Sequence, residues 1–416
     1  MLLFVSRIKG DAILRIGIFT DTYFPQVSGV ATSIKTLRDE LIKQGHHVYI
    51  FTTTDPHADK VADRYHGIFR FPSVPFVSFP ERRIAFSGWV KVLMIARRLH
   101  LDLIHNQTEF SLGIMGKMVA RELRIPCLHT YHTMYEDYLH YVANGRLIKP
   151  RDVATASRAY LKHMTGIVAP SDRVLETLES YQVKVPIRVI PTGINLSVFQ
   201  HPDTPEQITA LRQRYGFTNE TPVMLSLSRL AFEKNITGLI DSMPDILDQN
   251  PQAQLLIVGD GPARMSLERQ VKAMHLTNNI QFTGQVNNDD VHHYYQMADV
   301  FVSASDSESQ GLTYDEALAS DLPIVVMQSE YTDELIDDRA IGISYQKKAD
   351  LVQGVLYYLA RGKNASDIQK RRAKLDSISA EVFGQRIVEF YDECIMRNHN
   401  QQLERKKRFL MRKRHD

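Results

Sequence analysis

Short apolar, β-branched runs alternate with helix-patterned segments along most of the chain, and this alternation limits the possible fold more than any other feature. The first run, Ile13–Thr20, ends in Asp21-Thr22-Tyr23-Phe24-Pro25. A glycine-containing loop follows, then a helical pattern from Val30 to Lys43 closed by Gly45, then a second run at His46–Thr53. Further strands are expected at Leu101–His105, Ile125–His129 and Thr165–Ala169. Strands alternating with helices build a parallel sheet covered on both faces, the doubly wound α/β class. Around Ile187–Phe199 the pattern restarts, with strands expected at Pro222–Ser228, Gln254–Gly259, Asn279–Thr283, Asp299–Ser303 and Pro323–Met327. A chain of 416 residues also exceeds what one core usually holds. The expected organisation is two Rossmann-like domains, residues 13–198 and 199–380. An N-terminal extension, 1–12, precedes them, and a C-terminal helix with a basic tail, 381–416, follows.

In open α/β sheets ligands bind at the carboxyl ends of strands, where loops lead into helix N-termini. With two such domains the natural site is the crevice between them. Two constellations sit at such strand ends. Glu308-Ser-Gln-Gly-Leu-Thr-Tyr-Asp-Glu316 follows the strand expected at Asp299–Ser303. Gly311 there lets a backbone approach a ligand closely, and the helix beginning at that point offers free N–H groups to an anion such as a diphosphate. Carboxylates are poor phosphate ligands but good acceptors for sugar hydroxyls, and Glu308 and Glu316 flank this anion site; acids near a helix start are also common without a ligand. Ser228-Arg229-Leu-Ala-Phe-Glu-Lys234-Asn235 follows the first strand of the second domain, where Arg229 and Lys234 could grip a pyrophosphate leaving group.

Glu308 and Glu316, with seven residues between them, resemble the EX7E motif of retaining GT-B glycosyltransferases, notably family 4, and Arg229 and Lys234 resemble that family's Arg…Lys pair. Pro191-Thr-Gly-Ile-Asn195 and Val258-Gly-Asp-Gly-Pro262 add two more of its signatures, so the resemblance runs from about Ile13 to about Phe390. The resemblance implies a GT-B fold, two lobes facing across a cleft. It also implies that Arg229 and Lys234 hold the donor diphosphate together with the backbone N–H groups of Gly311 and Leu312. Glu308 would bond the donor hexose and Glu316 the ribose. Gly29, in Pro25-Gln-Val-Ser-Gly-Val, is similar to the glycine loop that closes over the phosphates. His132, in His129-Thr-Tyr-His-Thr133, matches the family histidine near the donor sugar, while His129 reads better as a satisfied core residue. Asp21 is a candidate acceptor contact or support for the glycine loop.

The same resemblance implies retention of anomeric configuration. No carboxylate is singled out as a nucleophile for double displacement, so front-side attack is expected, with the donor phosphate helping to remove the acceptor proton. No Asp-x-Asp occurs, and with two cations on the diphosphate no metal is expected. Nor is a tightly bound cofactor, UDP-glucose being the donor substrate.

The charge is unevenly spread. Residues 405–416 carry seven Lys or Arg against one Asp, a net charge of +6, leaving −4 on the rest of a chain whose total is +2. Arg82–His100 reads as a basic amphipathic helix, with Phe86, Trp89, Val90 and Leu93 on one stripe and Arg83, Lys91, Arg97 and Arg98 supplying charge. Such helices lie in membrane interfaces or pack a stripe on a sheet, and stable anchoring usually takes two signals. The tail residues Arg405, Lys406, Lys407 and Arg408 offer the second, toward anionic lipid. Nucleic acid is not expected, since no binding module accompanies the charge. The opening MLLFV is interrupted by Arg7, Lys9 and Asp11 before a signal core can form, and no run of roughly 20 apolar residues spans a bilayer. Two cysteines, Cys127 and Cys394, suit a reducing compartment. The expected place is the cytoplasm, peripherally on the inner face of the cell membrane.

Thr20-Asp-Thr-Tyr-Phe-Pro-Gln-Val-Ser-Gly and His129-Thr-Tyr-His-Thr-Met-Tyr-Glu-Asp-Tyr138 look like bacterial diacylglycerol glucosyltransferases, which implies transfer of α-glucose from UDP-glucose to diacylglycerol or a related lipid. A soluble sugar, a phosphoinositol lipid or a cell-wall polymer are alternative acceptors. A UDP-sugar epimerase of GT-B fold and a nucleotide-sugar-binding interaction protein are alternatives of other kinds.

Overall fold

The computed structural model describes residues 12–26, 28–76, 79–136, 149–305 and 307–412. All of the expected N-terminal extension but Ala12 lies outside them. The chain divides into two compact units, Met1–Gly193 with Ala380–Asp416, and Ile194–Ser379.

The first unit contains β1 (Arg15–Phe19), β2 (His47–Thr53), β3 (Ile68–Phe71), β4 (Ser73–Phe76), β5 (Phe79–Ala85), β6 (Leu103–Asn106), β7 (Cys127–Thr130), β8 (Gly166–Ala169) and β9 (Ile187–Val189). Seven of these form a parallel sheet in the order β3-β2-β1-β6-β7-β8-β9. Its strands are apolar on both faces because helices cover both. Ile16 and Ile18 pack with Ile34, Leu37 and Leu41 of helix Gly29–Lys43 and with Phe383, Ile387 and Phe390. Phe19 joins Phe51, Phe71, Val92 and Val119 on the other face, stacking on Phe51 with ring centroids 4.3 Å apart.

The second unit contains β10 (Val223–Leu227), β11 (Gln254–Val258), β12 (Ile280–Gly284), β13 (Val300–Ser303), β14 (Ile324–Met327) and β15 (Gly342–Tyr345), in the order β12-β11-β10-β13-β14-β15, all parallel. Two apolar clusters sandwich it. One is built around Leu239, Ile240, Leu267 and Val355, the other around Tyr295, Phe301, Leu318 and Leu335.

Every strand expected from the alternation is present within two residues at each end, whereas β3, β4, β5, β9 and β15 are additions. The unit boundary falls earlier than the expected 198/199. Ile194 bridges Ser379 and donates its N–H to Ile378 at 3.0 Å, so the chain enters and leaves the second unit at one place. The C-terminal helix, Ala380–Arg412, belongs to the first unit. Phe383, Ile387, Phe390, Tyr391 and Cys394 are buried there, Tyr391 lies 2.7 Å from His105 on β6, and Arg397 donates to the Thr165 carbonyl at 2.9 Å. The expected tail, as far as Arg412, is thus the end of this helix. Arg405, Lys406 and Lys407 are exposed on it, while the side chain of Arg408 lies outside the described residues.

The basic segment 82–100 is not one helix. Arg83 lies in β5, its guanidinium donating to the hydroxyl and carbonyl of Ser73 at 3.0 and 2.7 Å. The helix spans Trp89–Leu99 and starts only after Gly88, whose φ of +108° interrupts regular backbone. Its stripe also splits. Val92 and Ala96 are buried, with Trp89 and Leu93 half-buried beside them, while Val90 and Met94, and Phe86 in the preceding turn, are exposed. Lys91 and Arg98 are exposed, and Arg97 is paired with Glu122 at 2.9 Å. Among the described residues no helix is long and apolar enough to cross a membrane.

Candidate active site

In the second unit the loop after β10 is clasped against the loop after β11. Ser228 N–H donates to Val258 at 3.1 Å, Leu230 N–H to Asp260 at 3.0 Å, and Ala263 N–H to Leu230 at 2.9 Å. This close approach requires the glycines of Val258-Gly-Asp-Gly-Pro262. A Cβ on Gly259 would stand 1.9 Å from the Ser228 carbonyl oxygen, and one on Gly261 2.4 Å from that of Leu230. The backbone of Arg229 is therefore fixed on both sides, with its side chain half-buried. A 3₁₀ turn, Phe232–Lys234, then leads through left-handed Asn235 into helix Ile236–Leu247.

Lys234 Nζ lies 2.6 Å from Glu308 Oε1, and the two side chains are only 17% and 19% exposed. This ion pair joins the two constellations. Glu308 lies in the loop after β13; that loop closes at Gly311, whose φ is +76° and whose Cβ would strike the Tyr314 ring at 2.7 Å. The helix that follows, Leu312–Ala319, presents its first N–H groups at this turn. Glu316, half-buried one turn in, accepts from the Tyr295 hydroxyl at 2.8 Å, and burial pushes its carboxyl up to about 7. Its neighbour Asp315, which the sequence does not single out, is fully buried and likewise pushed up to about 7 by burial. It accepts from Tyr331 at 2.5 Å and from Gln310 at 3.4 Å. Lys234 and the first N–H groups of helix Leu312–Ala319 thus lie at the same loop as Glu308, a surrounding suited to an anion next to hydroxyl groups.

In the first unit, the candidates again stand at strand ends. His132, just beyond β7, is half-buried with Nε2 2.7 Å from Gln107 Oε1. Burial, followed by the neighbouring His129, pushes its imidazole down to about 3. His129 is buried, with Nε2 2.8 Å from Glu109 Oε1, which accords with a core role. Burial drives the Glu109 carboxyl upward, but His129 and the hydroxyl of Tyr135 outweigh it and hold the group below its usual range. Asp21 is buried and hydrogen-bonded through both carboxylate oxygens. Its Oδ2 takes the Thr108 hydroxyl at 2.7 Å, and its Oδ1 takes the Ser111 hydroxyl together with the Leu112 N–H at 3.0 Å. Both oxygens are thus engaged in tying the end of β1 to the start of helix Ser111–Leu123. Gly29 is the first residue of helix Gly29–Lys43 rather than part of a free loop, and Ser28 caps that helix by accepting from Ala31 N–H at 3.2 Å.

One group among the described residues could hold a metal ion: ligand atoms of Asp203, His292 and His293 lie within 4.8 Å of one another. His293 Nδ1 already contacts both Asp203 oxygens, at 2.7 and 2.8 Å, so a hydrogen bond accounts for this geometry.

Comparison with known proteins follows the same division. Residues 27–198 match the model of Glycosyltransferase Family 4, and 207–375 that of Glycosyl transferases group 1. An alpha-monoglucosyldiacylglycerol synthase of Streptococcus pneumoniae is 46% identical over 93% of this chain and 88% of its own length. One from Acholeplasma laidlawii is 33% identical over 94% of this chain and all, 100%, of its own. The chain belongs to glycosyltransferase family 4. HepE from Anabaena, solved in complex with UDP-glucose, superposes with a TM-score of 0.73 at 17% identity, covering 91% of this chain and 99% of its own. This family 4 enzyme accordingly has the GT-B fold and is a hexosyltransferase.

Reading the sequence alone passes over Gln107, Glu109 and Asp315. Gln107 and Glu109 follow β6 directly, and the carboxyl end of a parallel strand is the one signal that could have marked them. Asp315 sits inside the Glu308–Glu316 motif, but its burial is set by Tyr331, 16 residues away.

Proposed function

We propose that this glycosyltransferase moves an α-glucosyl unit from UDP-glucose to 1,2-diacylglycerol with retention of configuration, in glycolipid synthesis at the inner face of the cell membrane. The observation that carries the reading is the Lys234–Glu308 pair beside the Gly311 turn. The Lys234 ammonium, held 2.6 Å from Glu308, is the cation that meets a diphosphate oxygen in this reading. Arg229 and the N–H groups of Gly311 and Leu312 complete the anion site. Glu308 accepts from the hexose, and Glu316 accepts from the ribose. His132, whose burial keeps it neutral, is the histidine this reading assigns to the hexose. Gly29 lies at the start of a helix whose N–H groups suit a phosphate.

As the anomeric C–O bond breaks, its electron pair goes to the departing diphosphate. Fixed cations and amides meet that charge without reorganising, usually the largest single contribution to catalysis. The acceptor hydroxyl attacks the same face of the anomeric carbon and passes its proton to a diphosphate oxygen. No step in this scheme needs a metal. The names of the two relatives support the acceptor. So do the exposed Phe86, Val90, Met94, Lys91 and Arg98, with Arg405, Lys406 and Lys407, as a surface for anionic membrane. Half-buried Trp89 and the paired Arg97 would contribute less.

Purified protein incubated with radiolabelled UDP-glucose and vesicles containing diacylglycerol should place label in the extracted lipid, with an α linkage by NMR. Label recovered only as free glucose would overturn the reading.

A further inference from the structure

Gln107 and His132 leave the carboxyl ends of the neighbouring parallel strands β6 and β7. The Gln107 side chain is almost wholly enclosed, at 2% exposure, and its backbone N–H is pinned to the Phe19 carbonyl at 2.8 Å. Its Oε1 stands 2.7 Å from His132 Nε2. An amide oxygen can only accept, so at this contact the imidazole must donate, and Nε2 carries the proton. Resting on the reading that His132 meets the donor hexose, we propose that Gln107 is a positioning residue. It fixes His132 in the Nε2–H tautomer so that Nδ1 accepts a hydrogen bond from a hydroxyl of the donor sugar.

A neutral imidazole can place its proton on either nitrogen, and the partner of one nitrogen decides the role of the other. The need for such a partner follows from the surroundings of His132. The titratable groups around it are His129 on β7 and Glu109 beyond β6, with His105 on β6 behind them. Glu109 is committed to His129 and Tyr135, and His105 to Tyr391 and Thr130 at 2.7 and 2.8 Å. Gln107 is therefore the side chain in contact with the His132 ring nitrogen that can select the tautomer. A wrong tautomer would turn an N–H toward the site at Nδ1, where an acceptor is required.

The test is the pH dependence of kcat and KM for UDP-glucose, measured on diacylglycerol vesicles, for wild type, Gln107→Leu, Gln107→Glu and His132→Ala. Gln107→Leu removes the acceptor. It should lower kcat by about tenfold or more across the pH range while KM shifts by less than about threefold. Gln107→Glu is nearly isosteric and still accepts, so activity should return at alkaline pH. Its negative charge stabilises the imidazolium, so a new acid limb should appear between about pH 5 and 8, absent from wild type. Wild-type profiles in both Gln107 variants, with His132→Ala impaired, would overturn the tautomer proposal and leave the role of His132 standing. Should Gln107→Leu fail to fold, the limb in Gln107→Glu decides alone. Wild-type kinetics in His132→Ala would instead remove the underlying reading.

Discussion

Lys234 and Glu308 are each less than one-fifth exposed, and each is the other's counter-charge. Removing one takes a counter-charge from the other in a largely desolvated place, which costs more than the pair contributes. Lys234→Ala should therefore lower kcat/KM by about 10²–10³, and calorimetry should show weakened UDP binding as well. Unchanged UDP affinity in Lys234→Ala would place the diphosphate elsewhere. Asp315 allows a prediction of the opposite kind, about stability. Its carboxyl rises from an ordinary 3.8 to about 7 because it is buried. Between those values the folded chain keeps a proton that the unfolded chain has released. Protons bound in excess by the folded state make stability fall as pH rises, by up to about 1.4 kcal/mol per pH unit from this group. Asp315→Asn cannot ionise. Denaturant titrations at pH 5, 6 and 7.5 should give a flatter dependence for the variant, and parallel curves would show that Asp315 is ionised throughout.

At the scale of elements, the strand ends that bear the candidate residues were largely legible in the sequence. Apolar β-branched runs mark β1, β10 and β13, and the spacing of Glu308, Gly311 and Glu316 marks the turn that follows β13. The missed elements share a physical cause. β3, β9 and β15 are short edge strands with little apolar periodicity of their own, and the end of β5 runs into a segment, 82–100, whose charge and stripe imitate a helix. Tertiary pairing, not local pattern, decides them. The surroundings of Asp21 are hidden for a similar reason, since its partners Thr108 and Ser111 are about ninety residues distant. The clasp between the loops after β10 and β11 has its own test. Gly261→Ala forces a Cβ to 2.4 Å from the Leu230 carbonyl, so the Arg229 loop must shift. Displacement by about 1 Å is enough to cost about 10²-fold in rate, and kcat/KM should fall by that order while β10 and β11 keep the unit folded by circular dichroism. A variant as active as wild type would mean that the position of Arg229 does not matter to the reaction.

For the whole molecule, the C-terminal helix combines two roles that truncation can separate. Its first half is structural, because Phe383, Ile387, Phe390 and Tyr391 are buried against the first sheet. Each fully buried side chain of this size is worth about 1.5–3 kcal/mol, so losing all four is comparable with the whole stability of a typical domain. Its last turns carry Arg405, Lys406 and Lys407 on an exposed surface, and each basic residue near an anionic leaflet contributes about 1 kcal/mol of attraction. A chain ending at Glu404 keeps the buried half and loses the charge. It should melt within a few degrees of the full chain. Its sedimentation with anionic vesicles should fall at least tenfold, and its activity on vesicle-borne diacylglycerol should fall with it, since the acceptor is reached only at the surface. A chain ending at Ser379 should not fold its first unit at all. The membrane role of the tail is refuted by a Glu404-terminated chain that still sediments like the full one at low salt, which would shift the lipid contact to Phe86, Val90 and Met94. Serine at those three exposed positions would then abolish sedimentation without lowering the melting temperature, because none of them belongs to the core.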